Sequence, residues 1–107
     1  MNLFQIINDK AKEYQDYTAN NLSELIKIKS LSTKEGPVIK KLKEMMADAG
    51  FDEIKIDGLG NIIGRLGSGK KIIAIDGHID TVDIGNIQNW TFDPLGGEIK
   101  NGFVHGR

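Results

Sequence analysis

Four residues at the end of one apolar run have the types and spacing to do chemistry: Gly77, His78, Ile79 and Asp80. In extended backbone, residues two apart point to the same side, so His78 and Asp80 share a face while Ile79 turns back. A neutral imidazole is a common protein ligand for zinc. Metal-bound histidines give their other ring N–H to a carboxylate or a carbonyl, which fixes tautomer and orientation. The triplet therefore predicts His78 as a metal ligand with Asp80 orienting it, and Gly77 leaves room for the backbone to pass close to a metal. A His-x-Asp triplet also fits a plain polar loop after a strand, and the surrounding sequence has to decide between the two.

The element that must position these residues is Lys71-Ile72-Ile73-Ala74-Ile75-Asp76. Its β-branched run has the pattern of a strand buried on both faces. In open α/β sheets, ligands and metals are held in the crevice beyond the carboxyl ends of the strands. The sequence thus predicts a metal-hydrolase edge built on the end of a central strand.

Composition narrows the function classes. The 107 residues have a formal net charge of -1 and no cysteine. Lys and Arg are interspersed with Asp and Glu, which argues against a basic face for nucleic acid. Disulfides, thiolate zinc sites and a cysteine nucleophile are excluded. Asp9, Lys10, Lys12 and Glu13 stand in the first turns, which matches neither a signal peptide nor a membrane span. A cytoplasmic protein that does not engage membranes is the expectation.

Taken in order, Leu3 to Lys29 reads as helix, with Leu3, Ile7, Ala11 and Tyr14 on one face and Leu22, Leu25 and Ile26 extending the stripe. Asn20-Asn21 is its weak point, predicting a bend or two successive helices. A second helix runs from Gly36 or Pro37 to Ala49, with Val38, Leu42, Met45 and Ala49 as its buried stripe and Gly50 as a left-handed cap. Met45 and Met46 read as core filler. The period then changes to two: Ile54 and Ile56 mark one strand, Ile62 to Leu66 a second, and Lys71 to Asp76 the third of an antiparallel meander. Asp83 to Gly97 reads as a long functional loop. Asn101-Gly102 between two short runs predicts a closing β-hairpin.

One motif is rejected. Gly64 to Lys71 approaches the phosphate-binding template G-x-x-x-x-G-K-[ST], but Lys71 stands where a magnesium-holding hydroxyl is needed. The following residues are strand-like, whereas a phosphate loop opens into a helix N-terminus.

Three blocks, considered together, raise the metal reading: Gly77 to Val82, Trp90 to Gly97, and Asn101 to Arg107. In order and spacing they resemble the co-catalytic zinc hydrolases that include acetylornithine deacetylase, succinyl-diaminopimelate desuccinylase, aminoacylase and glutamate carboxypeptidase. Leu25 to Ser30, Ala49-Gly50-Phe51 and Asp57 to Asn61 extend the resemblance along nearly the whole chain. It looks nearest to the deacetylase- and desuccinylase-like members, including a branch linked to selenium metabolism.

The resemblance implies an α/β fold, the N-terminal part of a zinc-aminopeptidase-like domain: two helices, then a mixed sheet with an antiparallel meander and a C-terminal hairpin. It implies hydrolysis of an amide in a dipeptide or an N-acyl amino acid, two zinc ions (cobalt or manganese being possible substitutes), and a possible homodimer. His78 becomes a ligand of one zinc and Asp80 the carboxylate that clamps it. Asp93 before Pro94 serves turn chemistry, and His105 is a hairpin residue. The bridging aspartate, the glutamate base, the other ligands and a lid domain have no counterpart here, so residues 1–107 are expected to be an incomplete portion of a catalytic domain, inactive alone. The contrasting expectation is a non-catalytic α/β binding or interaction module with His78 incidental.

Overall fold

The computed structural model describes all 107 residues. Three helices precede two short antiparallel hairpins: α1 (Leu3–Glu13), α2 (Gln15–Ile26), α3 (Gly36–Asp48), β1 (Glu53–Ile56), β2 (Ile62–Arg65), a 3-10 turn (Ile87–Asn89), β3 (Ile99–Lys100) and β4 (Phe103–Val104). The α/β class with hairpins is the one expected from the sequence. The chain divides into two compact units, one of residues 1–27 and 84–107, the other of residues 28–83.

In the first unit, Asn2 caps α1 by accepting the Gln5 N–H at 2.8 Å. The expected long first helix is two helices, and the break falls at Tyr14 (φ -92°, ψ 4°), not at Asn20-Asn21. The two asparagines stay helical because this half of α2 packs on β3 and β4, and tertiary packing overrides their weak propensity. No residue of α1 is buried; its stripe of Leu3, Ile7 and Tyr14 has helical spacing but lies exposed. The β3–β4 hairpin forms where Asn-Gly required it, with Asn101 at φ 53° and Gly102 at φ 80°.

Two tight contacts hold the long loop of this unit. Ser23, buried on α2, donates its hydroxyl to the Gly97 carbonyl at 2.6 Å. Gly97 has φ 61°, and a Cβ there would sit 2.6 Å from the Ser23 carbonyl oxygen, so only glycine fits. Asp93 takes the turn role expected of it: its carboxylate accepts the Leu95 N–H at 3.0 Å beside a fully buried Pro94.

The second unit is built on α3 against the β1–β2 hairpin. Pro37 occupies the first helical turn, and Val38 and Ile39 are its buried residues. Ala49 lies exposed, one turn beyond where the expected stripe is covered. Gly50 (φ 83°) ends the helix in a Schellman motif: its N–H bonds the Ala47 carbonyl, and the Phe51 N–H bonds the Met46 carbonyl at 3.2 Å. Gly64 on β2 lets the Phe51 ring close over the sheet, since a Cβ there would fall 2.5 Å from Phe51 Cδ1.

The β1–β2 turn is organised by one carboxylate. Asp57 accepts the Leu59 and Asn61 backbone N–H groups, both at 2.9 Å, and the Asn61 side-chain amide also at 2.9 Å. These bonds, led by the Asn61 side chain, hold the Asp57 carboxyl below the usual carboxylate range.

The expected central strand is the main correction. Residues 71–76 form no ladder, the meander stops at two strands, and the sheets are separate antiparallel pairs and not one mixed sheet. Ile72, Ile73 and Ile75 are 88–95% exposed. A doubly buried strand needs a hydrogen-bonding neighbour and a layer on each face. No element of residues 1–107 supplies either to this run, so its sequence pattern outstrips the packing the chain provides. Neither a helix nor a strand opens directly from the Gly64–Lys71 stretch.

Candidate metal-ligand motif

His78 and Asp80 sit just past the uncovered run, outside any helix or ladder, and their side chains meet. The His78 Nδ1 lies 2.9 Å from the Asp80 carbonyl oxygen and 3.1 Å from Asp80 Oδ1. A carbonyl oxygen can only accept, so the Nδ1 is assigned the proton and the Nε2 the lone pair. The imidazole side chain is 85% exposed and the Asp80 carboxylate about half as much, at 44%. Asp80 therefore holds the Nδ1 edge of a largely exposed ring.

The backbone around this pair is fastened by a seam centred on Ser30. Ser30, 2% exposed, lies 3.1 Å by its hydroxyl from the Ile79 carbonyl and 3.0 Å from Thr81 Oγ1. Its own carbonyl accepts the Thr81 N–H at 2.8 Å, and Leu31 and Thr81 form a parallel bridge. Lys29 and Asp83 extend the seam as an exposed ion pair at 3.7 Å. A weak signal for Ser30 was present: Ile28 and Ser30 flank Lys29 just past the end of α2, an alternation that turns the serine inward with the isoleucine.

The donor set suits a transition metal in kind, one imidazole nitrogen with its partner nitrogen hydrogen-bonded. It does not complete a site: no group of three or more His, Cys, Asp or Glu residues is gathered to hold an ion. His105 is engaged otherwise, in the first unit. Its ring packs edge-on at 5.0 Å from Phe92, which meets Trp90 at 5.5 Å, and the His105 backbone N–H donates to the Glu98 carbonyl at 2.8 Å. The Trp90 indole donates to the Ile84 carbonyl at 2.7 Å, so the tryptophan, phenylalanine and histidine fix the long loop. No helix is long and apolar enough to cross a membrane.

Comparison with known proteins agrees with a hydrolase relationship. The chain is 43% identical over 104 residues, 97% of its length, to the uncharacterized protein YgeY of Escherichia coli (strain K12), of which it covers 26%. It is 34% identical over 89 residues to a succinyl-diaminopimelate desuccinylase of Cereibacter sphaeroides (strain ATCC 17025 / ATH 2.4.3), covering 79% of this chain and 23% of that enzyme. A probable succinyl-diaminopimelate desuccinylase of Staphylococcus epidermidis is also 34% identical over 89 residues, covering 80% of this chain and 22% of that protein. The chain thus spans about a quarter of the length of the curated relatives it matches. No family model and no solved structure matches it.

Proposed function

We propose that residues 1–107 carry the first metal-ligand motif of a two-metal amide hydrolase. In this reading His78 binds one zinc through Nε2 and Asp80 holds the ring by its Nδ1–H. The carrying observation is that Nδ1 faces two acceptors of one residue, the Asp80 carbonyl at 2.9 Å and Oδ1 at 3.1 Å. That arrangement leaves the ring oriented with a single coordinating nitrogen, the condition found at metal-bound histidines. The similarity to proteins named desuccinylase supports the reaction class, since release of a succinyl group from an amine is amide hydrolysis.

A zinc pair in such a site lowers the pKa of a bound water and polarises the scissile carbonyl. The remaining ligands and the general base lie outside residues 1–107 in this reading, because a catalytic zinc takes three protein ligands and an open position. The portion is therefore inactive alone. Substrates are small: a dipeptide or an N-acyl amino acid, such as an N-succinyl or N-acetyl amino acid. Cobalt or manganese can replace zinc in a site of histidine and carboxylates. The whole enzyme is a cytoplasmic protein, with a homodimer as the proposed assembly.

The test uses the gene product that contains residues 1–107, assayed against N-succinyl and N-acetyl amino acids and dipeptides. Chelation should abolish hydrolysis, added zinc should restore it, and His78→Ala should leave no turnover that zinc can rescue. Hydrolysis that persists in the His78→Ala protein, or a metal-independent activity, contradicts the proposal.

A further inference from the structure

We propose that Ser30 is a positioning residue for the His78–Asp80 pair, acting through the backbone on either side of Asp80. The inference rests on the metal-ligand reading of His78 and deepens it. Its basis is placement: the Ser30 hydroxyl meets the Ile79 carbonyl at 3.1 Å and the Thr81 hydroxyl at 3.0 Å, and the Ser30 carbonyl accepts the Thr81 N–H at 2.8 Å. Residues 79 and 81 are the two neighbours of Asp80. Ser30 therefore holds both peptides adjoining the residue that grips the imidazole, the 79–80 peptide through its buried hydroxyl and the 80–81 peptide through its backbone carbonyl, and its hydroxyl also engages the Thr81 side chain.

The need for such a tie comes from the surroundings. Residues 71–78 form neither helix nor ladder, and the His78 side chain is exposed, so no secondary structure upstream fixes the motif. Both acceptors for Nδ1 belong to Asp80, one of them its backbone carbonyl. A rotation of the 79–80 or 80–81 peptide would move that carbonyl off the ring. The Ser30 hydroxyl has one proton to donate and lone pairs to accept with. It donates to the Ile79 carbonyl, which can only accept, and accepts from the Thr81 hydroxyl. Buried polar groups satisfied in this way hold one arrangement, because any other leaves a donor or acceptor unpaired.

The experiment reads the His78 ring directly and needs no metal. In the 15N-labelled chain, long-range 1H–15N spectra recorded in mildly alkaline buffer report which His78 ring nitrogen bears the proton. The parent is expected to show a protonated Nδ1. Ser30→Ala should lose that signature, giving averaged ring shifts, and Thr81→Val should move them the same way at a half-exposed position. Ser23→Ala is the matched control: it deletes a buried serine hydroxyl that bonds the Gly97 carbonyl at 2.6 Å, and it should leave the His78 spectrum unchanged. In the gene product that contains the chain, Ser30→Ala should weaken zinc binding about 10-fold, the lower end for groups that orient metal-bound histidines.

A protonated Nδ1 that survives both Ser30→Ala and Thr81→Val overturns the proposal, as does a parent ring protonated at Nε2 or an equal response to Ser23→Ala. Should Ser30→Ala fail to fold, Thr81→Val alone decides. Failure of the metal-ligand reading appears separately, as zinc content indifferent to His78→Ala.

Discussion

His78 gives its Nδ1–H to Asp80 twice over, to the backbone carbonyl at 2.9 Å and to the carboxylate at 3.1 Å. One residue thus acts on the ring through two different atoms, and the two can be separated. Asp80→Asn keeps the carbonyl and an amide oxygen but removes the negative charge, and Asp80→Ala keeps only the carbonyl. In the gene product that contains the chain, zinc affinity should fall in that order, with Asp80→Ala lower by about 10–100-fold. Equal affinity for all three proteins in a chelator competition would remove the aspartate from the metal site.

The uncovered apolar run makes a prediction of the opposite kind. Because Ile73 is 88% exposed, Ile73→Lys in the 107-residue chain should change unfolding free energy by no more than about 0.5 kcal/mol, as surface changes do. Val38, 1% exposed, is the contrast: Val38→Ala should cost about 1–3 kcal/mol through lost burial and the cavity left behind. Urea melts of the three proteins check this. A cost above about 1.5 kcal/mol for Ile73→Lys would mean that the run is buried in solution.

These two regions mark the limit of what was legible. Local rules transferred well: Pro37 in a first turn, Gly50 beyond a helix end, Asp93 at a turn and Asn101-Gly102 between strands each act within a few residues. His78 and Asp80, two residues apart, are in contact. What failed depended on partners. The Ile72–Ile75 pattern encodes burial on two faces, but burial requires other elements, and none within residues 1–107 reaches it. The Tyr14 break escaped for a related reason: Asn20-Asn21 is the weaker stretch by propensity, yet it is the half of α2 that packing supports. The Ser30 seam joins residues about fifty apart, a pairing that one sequence does not announce.

Glycines offer a check on the packing of the first unit. Gly97→Ala forces an alanine to φ 61° and into the Ser23 backbone, and should destabilise by about 2–4 kcal/mol. Gly85 has a similar φ of 67° but open space around it, so Gly85→Ala should cost only the backbone term, about 1–2 kcal/mol. Equal costs by urea denaturation would show that the Ser23–Gly97 approach is looser than described.

Acid should act on the β1–β2 turn through Asp57. Its carboxyl is held below the ordinary range chiefly by the Asn61 side chain, so its bonds contribute stability that is present above the unfolded carboxyl value near pH 4 and lost as pH falls through the lower folded value. Asn61→Ala should raise the Asp57 titration midpoint toward the ordinary carboxyl value, read by carboxyl 13C shifts. An unmoved midpoint would contradict the assignment of its cause.

The most direct measurement is the zinc bound per polypeptide in the gene product that contains these residues, for the parent, His78→Ala and His105→Ala. The metal-ligand reading predicts that His78→Ala loses bound zinc, while His105→Ala, changed in the aromatic cluster around Phe92, retains it. Zinc content unchanged by His78→Ala, or lost equally with His105→Ala, would contradict it.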